Sequence, residues 1–153
     1  MAADEARVAA VRDVLDTALG RGVGSIRIDA NGSWSVDEAV KALRRLTEYG
    51  LEYVEQPCAE LAEIKQVRDQ VSVPIAVDEA IRGAAAPEEL DLRGIADFAI
   101  IKVAPLGGIE ASLRIVEQLS MPIVISGSLD SSVGLAASTA LAGALDMTIA
   151  CGL

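Results

Sequence analysis

The sequence predicts an α/β fold, a partial (β/α)8 TIM barrel, from three observations. Short runs rich in Val and Ile alternate with longer helical segments. The last polar residues of these runs are Asp29, Glu55, Asp78, Lys102, Ser126 and Cys151, at spacings of 26, 23, 24, 24 and 25 residues. A steady β-then-α beat of that length fits right-handed crossovers in a parallel sheet, whose strands are buried on both faces. A doubly wound sheet shares this beat. The barrel is favoured because a polar residue stands at the C-terminal end of every strand, and a barrel turns all those ends toward one site.

The elements follow in order. A helix is predicted from Ala3 to Leu19 and a strand from Ser25 to Ala30. Ser35-Val-Asp-Glu38 has the S-x-x-E pattern of a capping box, so a helix follows through Ala39 to Tyr49, with Gly50 as its stop. Next come a strand over Leu51–Gln56, a helix over Ala59–Gln70 and a strand over Val73–Asp78. A strand over Asp97–Val103 leads to a helix over Gly108–Leu119. A strand over Pro122–Ser126, a helix over Ser132–Leu145 and a strand over Met147–Cys151 complete the chain. Six strands stand where a full barrel has eight, and the chain opens in a helix. The expectation is one partial barrel domain over residues 1–153, with about two βα units preceding it in a longer design.

Composition narrows the chemistry. Of 153 residues, 52% are hydrophobic, enough for a sizeable core and too many for a disordered segment. The net charge of −10 argues against nucleic acid or an anionic membrane as partner, because both recruit clustered Lys and Arg. With no histidine, a Ser-His-Asp triad, a two-His zinc site and any His general base are excluded. Acid–base work falls to Asp, Glu, Lys, Cys or Tyr. Cys58 and Cys151 form no CxxC pair and read as reduced packing thiols. Charged residues appear at once after Met1, so no signal peptide is expected, and the reading is cytoplasmic.

Asp29 in Asp-Ala-Asn, Glu55 in Glu-Gln-Pro and Asp78 in Asp-Glu-Ala sit at successive strand ends. Neighbouring strands lie about 4.8 Å apart, so three carboxylates at one level would repel unless a cation joins them. Hard oxygen donors with room for water suit Mg2+, with Mn2+ as a substitute. Singly, Asp29 reads as the start of a turn and Asp78 as a loop cap; three in phase are harder to explain that way. Lys102 lies in an apolar strand, where an amine is costly unless it reaches a site. A snorkelling side chain or a structural ion pair is the plainer alternative. Ser126, Gly127 and Ser128 open a Gly- and Ser-rich loop before a helix, a plausible cradle for a substrate carboxylate, though such loops are common. Trp34, the single Trp, either lines a pocket or packs. Gly20-Arg-Gly-Val-Gly24 precedes a strand and is no dinucleotide fingerprint.

Asp-Ala-Asn, Glu-Gln-Pro, Asp-Glu and Lys102-Val-Ala-Pro-Leu-Gly-Gly108, in this order and spacing, resemble the enolase superfamily, and its muconate-lactonizing subgroup in particular. Tyr53-Val-Glu-Gln-Pro-Cys58, the same Lys102–Gly108 stretch and Ser128-Leu-Asp-Ser-Ser-Val-Gly134 look most like the o-succinylbenzoate synthases. The resemblance implies strands three to eight of an enolase-type barrel. It implies Asp29, Glu55 and Asp78 as Mg2+ ligands, and Lys102 as one of two opposed lysines, an acid–base group or a steadying cation. It implies removal of a proton beside a substrate carboxylate and, for this member, dehydration of a succinyl-hydroxycyclohexadiene carboxylate to 2-succinylbenzoate in menaquinone biosynthesis. The family's Lys-x-Lys motif and capping domain lie outside the chain, which implies a piece inactive by itself. Dipeptide epimerase, N-succinylamino-acid racemase and cycloisomerase activities remain alternatives, as does a non-catalytic half-barrel. Unpaired strand edges predict self-association.

Overall fold

A computed structural model describes residues 2–147 and 149–153. Two compact units, Met1–Ile75 and Ala76–Leu153, each follow the predicted β-then-α order. No helix of the described residues is long and apolar enough to cross a membrane.

The first unit begins with helix α1 (Ala2–Leu19), followed by strand β1 (Ile26–Asp29), helix α2 (Val36–Leu46), strand β2 (Leu51–Glu55) and helix α3 (Leu61–Arg68). The Ser35 capping box is formed in both directions: the Ser35 Oγ accepts from the Glu38 N–H, and the Glu38 carboxylate accepts from the Ser35 N–H. Ala39, Val40, Ala42, Leu43 and Leu46 recur at helical spacing and are all buried, so α2 has one apolar face. The helix tightens into a 3-10 turn over Thr47–Tyr49 and ends at Gly50, whose φ of 68° is left-handed. Strands β1 and β2 pair in parallel, with Asp29 opposite Glu55 at their C-terminal ends. Val8 of α1, Ile26 of β1 and Leu46 of α2 form a core with Leu15, Ile28, Tyr49 and Leu51 packed against it.

Strand β3 (Ile75–Val77) starts at the unit boundary. The second unit then holds helix α4 (Glu79–Arg82), strand β4 (Phe98–Lys102), helix α5 (Ile109–Leu119), strand β5 (Ile123–Ser126) and helix α6 (Ser132–Ala144). β3 pairs with β4 and β4 with β5, all in parallel. Ala99, Ile100 and Ile101 are buried in succession, as are Ile123, Val124 and Ile125. Such unbroken burial marks strands covered on both faces, which is why these runs lack polar alternation.

Three local features differ from expectation. The predicted strands shorten at their ends, most in the β3 run, where the strand is only Ile75–Val77. Helix α4 and a 3-10 turn at Pro87–Glu89 were not predicted, because four residues are too few to carry a helical period. The Asp78 carbonyl creates α4 by accepting from the Ile81 and Arg82 N–H groups. The predicted strand over Met147–Cys151 includes Thr148, which lies outside the described residues. Next to it, Gly152 forms a single parallel bridge to Ser126.

Candidate functional site

In the first unit, the parallel ladder brings Asp29 and Glu55 to one level. Asp29 is opposite Glu55, and the Ala30 N–H donates to the Glu55 carbonyl at 3.1 Å. Asp29 is exposed and Glu55 half-buried. The Asp29 Oδ1 accepts from the Asn31 N–H at 2.8 Å, so the turn reading and the site reading of Asp29 hold at once. A cleft of about 320 Å3 runs beside it, lined by Val8, Arg27, Ile28, Asp29 and Trp34 among others. Of the two readings of Trp34, the structure supports the pocket wall.

Beneath the carboxylates on the same strands, the Arg27 guanidinium lies 4.8 Å from the centre of the Tyr53 ring and donates from Nε to Glu52 at 2.7 Å. Burial opposes the Arg27 charge, yet Glu52 and Tyr53 raise its pKa above the ordinary value. Burial pushes the Tyr53 hydroxyl up, against the lowering pull of Arg27. This layer is thus a fixed cation held by its neighbours, and Tyr53 stays protonated at neutral pH.

In the second unit, Asp78 is 1% exposed and follows β3 directly. The Lys102 Nζ lies 2.5 Å from its Oδ2, and the Arg82 Nε lies 3.5 Å from its Oδ1. A buried carboxylate is tolerated when paired in this way. The structural ion pair foreseen for Lys102 therefore exists, and its partner is itself a candidate metal ligand. Lys102 stands opposite Ser126 in the β4–β5 ladder.

The donors at the start of the loop after β5 are spent on the protein itself. The Gly127 N–H donates to the Gly152 carbonyl at 2.8 Å, and the Ser126 Oγ reaches the same carbonyl at 3.3 Å. The Ser128 N–H donates to Asp130 at 2.9 Å. Gly134 makes this possible, since a Cβ there would lie 2.9 Å from the Asp130 Cβ. The Ser128 side chain is on the exposed surface.

The structure thus brings together Asp29 with Glu55, and Asp78 with Lys102. Among the described residues, no group of three or more carboxylate or thiol side chains is gathered as a metal cluster. The three candidate ligands, Asp29, Glu55 and Asp78, all offer carboxylate oxygens, the hard donor set that suits Mg2+. Sequence reasoning missed three contributors. Arg82 was hidden because α4 was not foreseen. Asp130 could have been suspected from the turn-forming Ser-Leu-Asp-Ser stretch. Gln56 stood in the Glu-Gln-Pro stretch, but nothing in the sequence signalled that it would be fully buried with a φ of 38°.

The Enolase C-terminal domain-like family profile matches residues 1–151. The chain belongs to that family. Consistent with this, it is 50% identical over 151 residues to an o-succinylbenzoate synthase of Thermobifida fusca (strain YX), covering 98% of this chain and 46% of that protein. An o-succinylbenzoate synthase of Mycobacterium ulcerans (strain Agy99) is 49% identical over 155 residues, covering 45% of its length. The chain therefore spans less than half the length of these curated relatives. Among solved structures, a dipeptide epimerase from Enterococcus faecalis V583 superimposes with a TM-score of 0.84 at 31% identity, over 98% of this chain and 44% of that one. The same epimerase has also been solved with Mg and the dipeptide L-Leu-L-Tyr. MenC from Desulfotalea psychrophila LSv54 gives a TM-score of 0.81 at 27% identity, over 98% of this chain and 43% of that one. The fold is a partial TIM barrel of the enolase type: the strand-end polar residues favoured a barrel, and the family resemblance implied the enolase type.

Proposed function

We propose that this chain is the ligand-bearing part of an o-succinylbenzoate synthase-type dehydratase, a carbon–oxygen lyase of menaquinone biosynthesis that works in the cytoplasm. The observation that carries this reading is sequence identity of about one half, sustained along almost the whole chain, to o-succinylbenzoate synthases. Asp29, Glu55 and Asp78 would hold Mg2+, with Mn2+ as a substitute. Each stands at the C-terminal end of its strand or one residue beyond, where barrel enzymes carry their chemistry. When bound, the cation supplies Lewis-acid stabilisation of negative charge on the substrate carboxylate.

The chain's own residues do the rest. Lys102, held by Asp78 at the end of β4, would supply a fixed positive charge to the negative charge that develops on the substrate. That favours the steadying-cation role over the acid–base role. The exposed Ser128 side chain binds the distal carboxylate, while Ser126 and Gly127 fix the course of the loop. In the reaction, one proton leaves the carbon beside the carboxylate and the neighbouring hydroxyl departs as water, so the ring becomes aromatic.

The decisive experiment joins this chain to the preceding half of the Thermobifida fusca relative in place of the homologous segment. Loss of ring-diene absorbance as 2-succinylbenzoate forms supports the proposal. Epimerised dipeptides or racemised N-succinylamino acids without dehydration would select the sister activities instead. A folded chimera with no activity on any of these substrates would leave a non-catalytic half-barrel.

A further inference from the structure

Two turns of the first unit are joined into one body, and Gln56 lies at the joint. The turn Asp29–Trp34 follows β1 and the turn Glu55–Ala59 follows β2. Their backbones are laced together by three bonds: Ala30 N–H to the Glu55 carbonyl at 3.1 Å, Gly32 N–H to the Gln56 carbonyl at 2.7 Å, and Trp34 N–H to the Pro57 carbonyl at 3.2 Å. Ser33 and Cys58 add an antiparallel bridge.

Gln56 is 0% exposed and holds a left-handed φ of 38°, which a non-glycine residue adopts only when its surroundings compel it. Its Nε2 donates to the Cys58 carbonyl at 2.9 Å and to the Ala59 carbonyl at 3.4 Å. The side chain thus closes its own turn from inside. Its carbonyl is aimed by the same backbone twist at Gly32. The opposing turn is equally constrained: Asn31 has a φ of 47° and Gly32 a φ of 67°. A Cβ on Gly32 would lie 3.3 Å from the Ala59 Cα, tighter than ordinary contact, so any larger residue presses the turns apart. Strain in this region is concentrated within two residues of both candidate ligands, Asp29 and Glu55.

We propose that Gln56 is a positioning residue for the Asp29–Glu55 carboxylate pair. It shapes the Glu55–Ala59 turn on which the Asp29–Trp34 turn is seated, and so fixes the separation at which the two carboxylates share a divalent cation. This rests on the metal reading given above. The cost of the strained turn is then repaid by a site that needs little reorganisation on loading.

The test uses Mn2+ as the probe, titrated into the chain by electron paramagnetic resonance, together with thermal melting of each variant. Gln56→Met keeps the bulk and removes the donor. Gln56→Glu keeps the shape and turns a carboxylate toward two carbonyls. Gly32→Ala parts the turns from the other side and serves if both Gln56 variants fail to fold. Each folded variant is expected to weaken Mn2+ binding at least tenfold, whatever its melting temperature. In an Asp29→Asn background, Gln56→Met is expected to change Mn2+ affinity less than twofold, because the pair it positions is already broken. If Asp29→Asn weakens binding while Gln56→Met or Gly32→Ala leaves it unchanged, the positioning role is overturned and the metal reading stands. If Asp29→Asn has no effect, or the unaltered chain takes up no Mn2+, the metal reading itself falls and the role falls with it.

Discussion

Cys58 illustrates how placement sets reactivity in this chain. Its thiol is wholly buried, and burial, with a smaller push from Glu63, raises its pKa from 9.0 to about 11. Cys151 is partly exposed. At pH 8, a thiol reagent is expected to label Cys151 rapidly and Cys58 only on unfolding; equal labelling rates in the native protein would refute the burial argument. The sign of the pH effect follows. Between pH 9 and 11 the unfolded thiol loses its proton while the folded one keeps it, so stability falls as pH rises through that window. Cys58→Ala should flatten that alkaline slope in chemical denaturation series. The carboxylates carry the complementary prediction. Asp29→Asn, Glu55→Gln and Asp78→Asn should each weaken Mg2+ binding by about tenfold or more, measured by calorimetric titration, on the scale of losing one charged ligand. Unchanged titrations for all three would remove the metal assignment. Asp78→Asn should also destabilise the fold, because it leaves Lys102 and Arg82 without their shared carboxylate.

Helix α2 is the element whose origin is most completely legible. Ser35 and Glu38 exchange hydrogen bonds at its start, and the backbone and side-chain bonds from Ser35 lower the Glu38 pKa. Acidic residues in the first turn and Arg44 and Arg45 in the last complement the helix dipole. Ser35→Ala should cost about 1 kcal/mol, read as a lower urea midpoint with unchanged slope. Because the Glu38 pKa is depressed on folding, its contribution is present above the ordinary carboxylate range and is lost as pH falls through the folded value. The cap effect of Ser35→Ala should therefore shrink in acid. Helix α4 is the opposite case. Its four residues carry no period, and its existence depends on the Asp78 carbonyl and the ion pairs of Arg82 with Asp78 and Glu79. Propensity could not reveal it, because four residues are too few to show a helical period, even though the groups that hold it lie only three or four positions apart.

At the scale of the whole molecule, the first unit presents Val11, Val14 and Leu19 of α1 largely to solvent, at 48%, 67% and 56% exposure. Among the described strands, β1 pairs only with β2. Apolar side chains beside a strand edge favour association, so the chain is expected to self-associate as concentration rises, and Val14→Lys to reduce this. Light scattering showing a compact monomer at all concentrations would overturn the expectation. The sequence by itself determined the βα order, the strand-end positions of Asp29, Glu55, Asp78, Lys102 and Ser126, and the α2 cap. These rest on periodicity, β-branched content and bonds between residues three or four apart, all of which are local. Only the tertiary structure decided that Lys102 pairs with Asp78, that the Gly127 N–H is spent on the Gly152 carbonyl and the Ser128 N–H on Asp130, and that Gln56 joins two turns. Those choices depend on burial and on partners as many as 25 residues away in the chain, as with Gly127 and Gly152, where one-dimensional spacing holds no record of which groups meet.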